Sequence, residues 1–445
     1  MNTLNSKDKA SSPTPQAAAT TQQEDLNNTK ILQSPDWGKI HIDSNLQQAF
    51  KASLQQHVST VTHKEAPTSL VQVNADFVAT ILAPEIDQTA AIEQLEQLFN
   101  QQKNLYHNID IATELRKRQY INKTGLVMSP DHCITTLRDY QRVSRFIQGV
   151  HCAINERLKN QSSISIAYPA CGPFAPLLMP LLSYYQEREK FTPDQLKITL
   201  IDIQEGATQT LKMLVKAHNI ESYIDAILCQ DACDHQAKEH YDLVVLEAMQ
   251  HGFSREGHLR LARHYSHQLK SNGILIPQKI VLNAALNNAQ LEYVDQWKNS
   301  ENSHKKNARQ ARVLLGEILT VEQDFLRTVE PIVLDNHTEL VKCNTLCIPA
   351  MPKHSEQKML IITSRINIWG DLWLEEYESG ITHPLPDQNI CINFTPNSPQ
   401  PGDVLANSGD DLTFYYCVNG LPGFFATCAK ASANAANAEQ LSHAQ

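Results

Sequence analysis

The sequence predicts an α/β fold with a doubly wound sheet, followed by an antiparallel β-barrel or sandwich domain and preceded by an N-terminal helical region. Between residues 163 and 283, short apolar strands alternate with helices, which is typical of a parallel sheet covered on both faces. From residue 329 onward, Pro and Gly clusters separate short alternating runs, which favours antiparallel strands. Residues 68–120 carry apolar side chains at helical spacing. The α/β part is therefore expected to be Rossmann-like.

The bulk composition is that of an ordinary globular protein and argues against two classes of partner. The 445 residues are enough for two or three domains, and 42% of them are hydrophobic and 19% charged. A formal net charge of −10 does not supply the basic face that nucleic acid or an anionic membrane requires. No apolar stretch is long enough to span a bilayer, and the N-terminus shows no apolar signal core. We therefore expect a cytoplasmic protein without nucleic-acid or membrane partners.

The cysteines do not indicate a metal site. The ten cysteines form no CxxC pair, and no histidine pair lies near them at zinc-site spacing. Reduced and mostly buried thiols are the expected state, and no metal is predicted.

The composition and the apolar pattern divide the chain into five segments. Residues 1–30 and 429–445 are rich in small and polar side chains and are predicted to be disordered tails. Residues 31–130 are predicted to be mainly helical. Residues 131–283 form the predicted α/β domain, and residues 284–428 form the predicted β-barrel-like domain.

Within the α/β segment, the apolar spacing predicts each element in turn. A helix is expected from about residue 133 to 158, ahead of the first strand. The helices between the strands are predicted at residues 177–182, 207–218 and 257–270. The predicted strands are residues 164–168, 197–203, 224–229, 243–246 and 274–276.

In the second domain, one polar helical stretch precedes the strands. Residues 288–325 are polar and are predicted to be helical. The strands are predicted at residues 340–348, 358–369, 389–394 and 413–418.

Small or acidic residues follow four consecutive strands of the predicted sheet. Ala170 and Gly172 lie in the first β-to-α turn, Asp202 ends the second strand, Asp231 follows the third and Glu247 ends the fourth. Ligands of open α/β sheets bind at the carboxyl ends of the strands. At these places Asp202 would bind the two hydroxyls of a ribose, and Asp231 would accept a hydrogen bond from an adenine amino group.

The first turn indicates which nucleotide-type cofactor is bound. Residues 168–174 read Tyr-Pro-Ala-Cys-Gly-Pro-Phe, with prolines and a single glycine. A dinucleotide would favour several glycines, which seat its pyrophosphate on the helix N-terminus. S-adenosylmethionine has no phosphate, so one close glycine suffices, but its carboxylate needs a cationic partner. We therefore predict S-adenosylmethionine as the cofactor.

Two glutamates, Glu247 and Glu256, lie nine residues apart around a loop that contains Gly252. Two converging carboxylates suit a flat cation with several N–H donors, such as a guanidinium. On these residues alone, a surface loop with two solvated acids explains the pair equally well.

A segment of the helix before the first strand carries a family motif. Residues 137–146 read Leu-Arg-Asp-Tyr-Gln-Arg-Val-Ser-Arg-Phe. This resembles the Leu-Lys-Asp-x-x-Arg-Thr-x-x-Tyr of the protein arginine methyltransferases, a branch of the class I S-adenosylmethionine-dependent methyltransferases. The resemblance implies that Arg142 holds the methionine carboxylate of the cofactor.

The glutamate loop is similar to the same family. Residues 247–250 read Glu-Ala-Met-Gln where the family has Glu-x-Met-Gly, and the second glutamate keeps the family spacing. Residues 269–277 match the Leu-x-x-x-Gly-x-x-x-Pro of the family's domain junction. The resemblance implies that Glu247 and Glu256 grip a guanidinium.

Three positions differ from the family pattern. The tripeptide Thr382-His383-Pro384 resembles the family's Thr-His-Trp, which implies a catalytic role for His383, but Pro384 replaces the tryptophan. Gln250 replaces a glycine. The first turn also lacks the family's acid-x-Gly-x-Gly-x-Gly pattern.

The resemblance covers roughly residues 130–420 and implies an architecture and a reaction. The active site would lie between the α/β domain and the β-barrel, and a homodimer would form through a helical arm, for which residues 288–325 are the candidate. The primary hypothesis is N-methyl transfer from S-adenosylmethionine to a guanidino nitrogen of a protein or peptide. One alternative is methylation of free arginine or another small amine. Another is a degenerate methyltransferase that acts as a binding subunit.

Overall fold

The computed structural model describes four stretches of the chain, which are residues 69–295, 308–351, 358–393 and 398–430. The predicted tail at residues 1–30 and the first part of the predicted helical region lie outside the described residues, as does nearly all of the C-terminal tail. Within the four stretches, no helix has both the length and the apolar character needed to cross a membrane.

The N-terminal region is helical, as predicted. Ser69 and Asp87 cap its two longer helices by accepting hydrogen bonds from backbone N–H groups one turn later. The Asn74 side chain donates to the Pro180 carbonyl at 2.6 Å and fastens the region to the α/β domain. The helices are α1 (Leu70–Ile81), α2 (Gln88–Asn108) and α3 (Thr113–Lys117), followed by a hairpin of β1 (Tyr120–Ile121) and β2 (Leu126–Val127).

The α/β domain contains a five-stranded parallel sheet in which the predicted strands recur. Its strands are β3 (Ile164–Pro169), β4 (Leu196–Asp202), β5 (Ile224–Cys229), β6 (Tyr241–Val245) and β7 (Leu269–Ile276). The order is β5-β4-β3-β6-β7, so the chain winds outward from β3 in both directions. The switch point therefore lies between the carboxyl ends of β3 and β6, where open sheets bind ligands.

The helices of this domain differ from the prediction in two places. The single helix expected over residues 133–158 is interrupted at Asp139, because the Asp139 side chain accepts from the Arg142 N–H and caps a new helix. The helix predicted over residues 257–270 ends at Ser266, because Leu269 pairs with β6 and buries its side chain in the sheet. The helices are α4 (Pro130–Cys133), α5 (Tyr140–Leu158), α6 (Met179–Glu187), α7 (Glu205–Ala217) and α8 (His258–Ser266).

The second domain consists mainly of antiparallel sheets, as predicted. One sheet joins β8 (Lys279–Asn287), β9 (Val313–Glu322), β12 (Met359–Trp369), β13 (Leu372–Leu374) and β14 (Leu385–Asp387). The other joins β10 (Ile332–Asp335), β11 (Thr338–Cys347), β17 (Asp411–Cys417) and β18 (Gly423–Ala429). A short parallel pair consists of β15 (Ile390–Ile392) and β16 (Val404–Ala406).

The helix predicted over residues 288–325 is corrected by the structure. Val313–Glu322 is strand β9, which pairs along β8 and buries Ile318, Leu319 and Val321. Helical residues in this span are 289–295, 308–310 and the first part of α9 (Gln323–Thr328), and residues 296–307 lie outside the described residues. Pairing with β8 accounts for the strand, and a register shift opposite residues 317–319 accompanies the burial of the consecutive residues Ile318 and Leu319.

The second domain packs closely against helix α5. A Cβ added at Gly149 would lie 2.5 Å from Ile368 Cγ2, so only glycine lets β12 approach the helix this closely. One continuous apolar core therefore includes both domains. This contact fixes the loops of the second domain relative to the carboxyl ends of the parallel strands.

Candidate functional site

Two adjoining cavities lie at the carboxyl ends of the parallel strands. The Asp202 cavity, lined among others by Asp202 and Asp231, has a volume of about 100 Å³. The Glu247 cavity, lined among others by Glu247 and Arg142, has a volume of about 520 Å³, which is in the range of small-molecule sites. The two cavities adjoin, because both are lined by Leu126, Met128, Cys133, Ala170, Gly172, Pro173 and Glu256.

Asp202 is buried at the base of the first cavity and is held by two backbone groups. Its Oδ2 accepts from the Gly172 N–H and its Oδ1 from the Gln204 N–H, each at 2.8 Å. Burial raises the pKa of Asp202 to about 6, although the two N–H groups oppose the shift. The carboxyl group is therefore ionised at pH 7. Each of its oxygens keeps a lone pair that can accept from a ligand hydroxyl.

The first turn leaves space above Asp202. Gly172 and Ala170 have φ angles of 65° and 51°, in the left-handed region. A Cβ added at Gly172 would lie 3.6 Å from Cys133 Cβ, at the junction of the two cavities. The absence of a side chain at Gly172 thus leaves space at this junction, although the turn contains no other glycine.

Asp231 lies on the same cavity as Asp202. Its Oδ1 accepts from the Cys233 N–H at 2.9 Å, and its Oδ2 accepts from the Asn122 side chain at 3.2 Å. Asn122 belongs to the hairpin that joins β1 and β2, and Thr124 and Leu126 of this hairpin also line the cavity. Sequence reasoning missed the hairpin, although Asn122 and Gly125 are typical turn residues.

Arg142 lies in the first turn of α5 and binds two carboxylates of the Glu247 cavity. Its Nη1 lies 3.0 Å from Glu247 Oε2, and its Nη2 lies 2.8 Å from Asp139 Oδ2. Burial disfavours the charge, but Glu247 and Asp139 outweigh it and raise the pKa of Arg142. These bonds leave one N–H on each of Nη1 and Nη2 for a further acceptor, such as a ligand carboxylate.

A loop of the second domain completes this ion-pair cluster. Ser379 Oγ donates to Asp139 Oδ2 at 2.6 Å and accepts from Arg142 Nε at 3.3 Å. The Gly380 N–H also donates to Asp139 Oδ2, at 3.2 Å. Ser379 and Thr382 form a capping box that fixes the loop. The sequence analysis did not identify Ser379, although the Ser-x-x-Thr spacing of a capping box is visible in the sequence.

For S-adenosylmethionine, the cofactor predicted from the sequence, replacement of Ser379 by Ala is expected to raise the KM about fivefold while leaving kcat within twofold. The reason is that Asp139 loses its shortest bond and holds Arg142 less firmly. Steady-state kinetics would measure both constants. Ser379→Thr should restore the KM, and Ser398→Ala, on the surface of the same domain, should not change it. An unchanged KM in Ser379→Ala would contradict this role.

Glu256 lines both cavities, and its carboxyl group has a raised pKa. Burial and the nearby Glu247 charge raise this pKa to about 8, against smaller opposing effects of Gln250 and Arg142. Glu247 is ion-paired with Arg142 and accepts from the Met249 N–H at 3.3 Å. At neutral pH the Glu256 carboxyl group is therefore mostly protonated in the ligand-free protein.

The raised pKa of Glu256 gives the ligand-free protein a pH-dependent stability. The pKa rises from 4.5 to about 8 on folding, so the stabilisation is fully present below pH 4.5 and is lost as the pH rises towards 8. The free energy of unfolding of Glu256→Gln, relative to wild type, should therefore increase between pH 5 and about 8 and then level off. Urea unfolding at several pH values would measure it, with the exposed Glu239→Gln as the control. A difference that does not vary with pH would contradict the assignment.

The loop between the two glutamates is a closed turn. The backbones of Gln250 and Ser254 form an antiparallel bridge, and Phe253 is buried. The Gln250 side chain donates to Met128 Sδ at 3.3 Å and lines the Glu247 cavity. Gln250, which stands where the resembled family has a glycine, therefore forms part of the wall of the Glu247 cavity.

His383 is the predicted site residue that the structure does not bring to the two glutamates. Its ring packs on Tyr377, with 5.8 Å between the ring centroids. Among the described residues, those that line the two cavities do not include His383. The same loop reaches the Glu247 cavity through Gly380 and Ile381 instead. A catalytic role for His383 stays a prediction from the resemblance.

The other predicted site residues lie together. The Asp202 cavity is lined by the predicted residues Ala170, Gly172, Asp202, Asp231 and Glu256. The Glu247 cavity collects Arg142, Ala170, Gly172, Glu247 and Glu256.

Comparison with known proteins shows that this chain is similar to chains of solved structures. No protein-family model and no curated protein matches the chain. The chain is similar to one from the Trypanosoma brucei PRMT1 enzyme-prozyme heterotetrameric complex with AdoHcy, at 12% identity and a TM-score of 0.38, over 67% of this chain and 98% of that chain. It is also similar to Arabidopsis thaliana protein arginine methyltransferase 10, at 11% identity and a TM-score of 0.38, over 67% and 97%. The function proposed below rests on the side chains of the two cavities.

Proposed function

We propose that this protein is an S-adenosylmethionine-dependent N-methyltransferase that acts on a guanidino nitrogen of a protein or peptide. One observation carries the proposal. The carboxyl groups of Glu247 and Glu256 line a cavity that adjoins a second cavity containing the buried carboxylate of Asp202. A cation site next to a ribose-type site is what this reaction requires.

The residues of the two cavities fit S-adenosylmethionine. Asp202 keeps a free lone pair on each oxygen for the ribose hydroxyls, and Asp231 borders the same cavity. Gly172 keeps the junction open, and Arg142 retains N–H groups for the cofactor carboxylate. When bound, S-adenosylmethionine supplies a methyl group that its sulfonium already activates.

The chain's own residues would orient the acceptor and take its proton. Glu247 and Glu256 would hold a guanidinium and localise its charge away from the attacking nitrogen. A guanidinium keeps its proton in water, so its proton is lost with or after the attack. Glu256 is the proposed proton acceptor, because it is the carboxyl group with a raised pKa in this cavity. The β1–β2 hairpin covers the junction and would exclude water.

A small guanidine or amine is the second candidate acceptor. Gln250 lines the acceptor cavity and contacts Met128, so it narrows the approach beside the glutamates. Mass spectrometry of products formed from proteins and from free amines would separate the two classes. The homodimer expected from the resemblance also stays a prediction, which sedimentation equilibrium would test.

Calorimetry with S-adenosylmethionine, followed by an S-adenosylhomocysteine release assay on a panel of guanidines, tests the proposal. Binding that Asp202→Ala weakens, together with release that Glu247→Gln abolishes, is the expected result. Full activity of Glu247→Gln would remove the assignment of the glutamates. Absence of cofactor binding would instead favour a degenerate binding subunit.

A further inference from the structure

The charged residues of the Glu247 cavity do not all have partners. Arg142 is ion-paired with both Asp139 and Glu247, so these three groups form one cluster. Arg255 and Glu256, which are consecutive in the chain and opposite in charge type, also line the cavity. Among the described residues, no ion pair or hydrogen bond involves the Arg255 side chain. Within the part of the chain that the structure describes, the cavity thus has a cation without an ion-pair partner beside its carboxyl groups.

The backbone of Arg255 is fixed from two sides. Its N–H donates to the Pro422 carbonyl of the second domain at 2.7 Å, and its carbonyl accepts from the Leu126 N–H of the hairpin at 2.8 Å. Its φ angle of 64° lies in the left-handed region, which is unfavourable for a non-glycine residue. The two bonds offset this cost. They place an exposed arginine side chain at the rim of the cavity.

Among the described residues, Arg255 and Glu256 both line the cavity but form no ion pair with each other, although they are neighbours in the chain. His251 also lines the cavity, and burial together with the Arg255 charge lowers the pKa of His251. The charges that act on Glu256 are those of Glu247 and Arg142. A ligand in this cavity would therefore meet carboxyl groups and a separate cation.

We propose that the methyl acceptor carries a carboxylate in addition to its guanidinium, and that Arg255 binds this carboxylate at the rim. This inference rests on the proposed function and narrows its substrate class. Arginine binds carboxylates through paired N–H···O bonds, which would fix the acceptor in one orientation. The carboxylate is that of a free guanidino acid or that of an acidic side chain beside the arginine of a peptide. The two sources share one chemistry and are separated by experiment.

The test compares acceptors that differ only in the carboxylate. The panel consists of arginine, its decarboxylated form agmatine, an arginine peptide with neutral neighbours and the same peptide with an aspartate beside the arginine. Wild type should show a kcat/KM about tenfold higher for the carboxylate member of at least one pair. Arg255→Gln should reduce that ratio to within twofold while leaving the non-carboxylate member unchanged. Arg188→Gln, an exposed arginine elsewhere, should keep the wild-type ratio.

The possible outcomes distinguish the source of the carboxylate, the role of Arg255 and the proposed function. Preference for arginine over agmatine assigns the carboxylate to a free guanidino acid, and preference within the peptide pair assigns it to an acidic neighbour. Equal rates within both pairs, or a preference that Arg255→Gln retains, would overturn the inference while turnover still supports the proposed function. No turnover of any guanidine would overturn the proposed function and the inference with it.

Discussion

Replacement of Glu256 by Gln is expected to lower kcat for methyl transfer about a thousandfold, since the amide cannot accept the proton of the guanidinium. Affinity for S-adenosylmethionine should stay within twofold of wild type. Glutamine resembles protonated Glu256 in shape, and a pKa of about 8 makes that form the major one at pH 7. Transfer assays together with calorimetry would separate the two effects. The same residue predicts that wild-type kcat/KM rises with pH up to about 8, because only the carboxylate accepts a proton.

Glu239→Gln is the matched control for this substitution, because it changes the same chemical group on the exposed surface. Its rates and its pH profile should be those of wild type. A Glu256→Gln variant that retained wild-type turnover would show that another group takes the proton. A wild-type profile that was flat between pH 6 and 9 would contradict the role of the raised pKa.

Replacement of Arg142 by Ala is expected to weaken binding of S-adenosylmethionine about a hundredfold and to destabilise the fold by about 3 kcal/mol. The side chains of Arg142, Asp139 and Glu247 are 13%, 17% and 8% exposed. Water therefore has little access to solvate the two carboxylates once the guanidinium is removed. Its loss would leave two carboxylates close together without a cation. Calorimetry would measure the affinity, and urea unfolding would measure the stability.

Arg138→Ala is the matched control, because Arg138 lies just before Asp139 in the chain and pairs with Glu96 on the surface. An exposed pair of this kind contributes at most about 1 kcal/mol, and cofactor affinity should not change. If Arg142→Ala were destabilised but bound S-adenosylmethionine normally, Arg142 would have a structural role only.

Much of the site could be predicted because the strand pattern fixes where strand ends meet. The apolar runs that end at Asp202 and Glu247 are parallel neighbours of the first strand, so their carboxyl ends lie on one edge of the sheet. Gly172 follows the strand between them. The strand pattern therefore predicted, without knowledge of the tertiary structure, that residues near these strand ends lie on one edge of the sheet.

Residues that reach the site from other parts of the chain could not be predicted in this way. Ser379 bonds to Asp139 across 240 positions of sequence, and Asn122 bonds to Asp231 across 109. His383, which the resemblance placed near the acceptor, packs on Tyr377 instead. Local patterns predict the loops that carry these residues, but the packing of one domain on the other decides which side chain faces the cavity.

The sequence by itself determined the order of the strands and helices of the α/β domain, the antiparallel character of most of the second domain, and the acids at the strand ends. These follow from apolar periodicity, which acts over a few neighbouring residues. Only the tertiary structure decided the raised pKa of Glu256 and, within the described residues, the lack of an ion-pair partner for Arg255. Both depend on burial and on charges brought together from distant segments, and no local pattern records these distances.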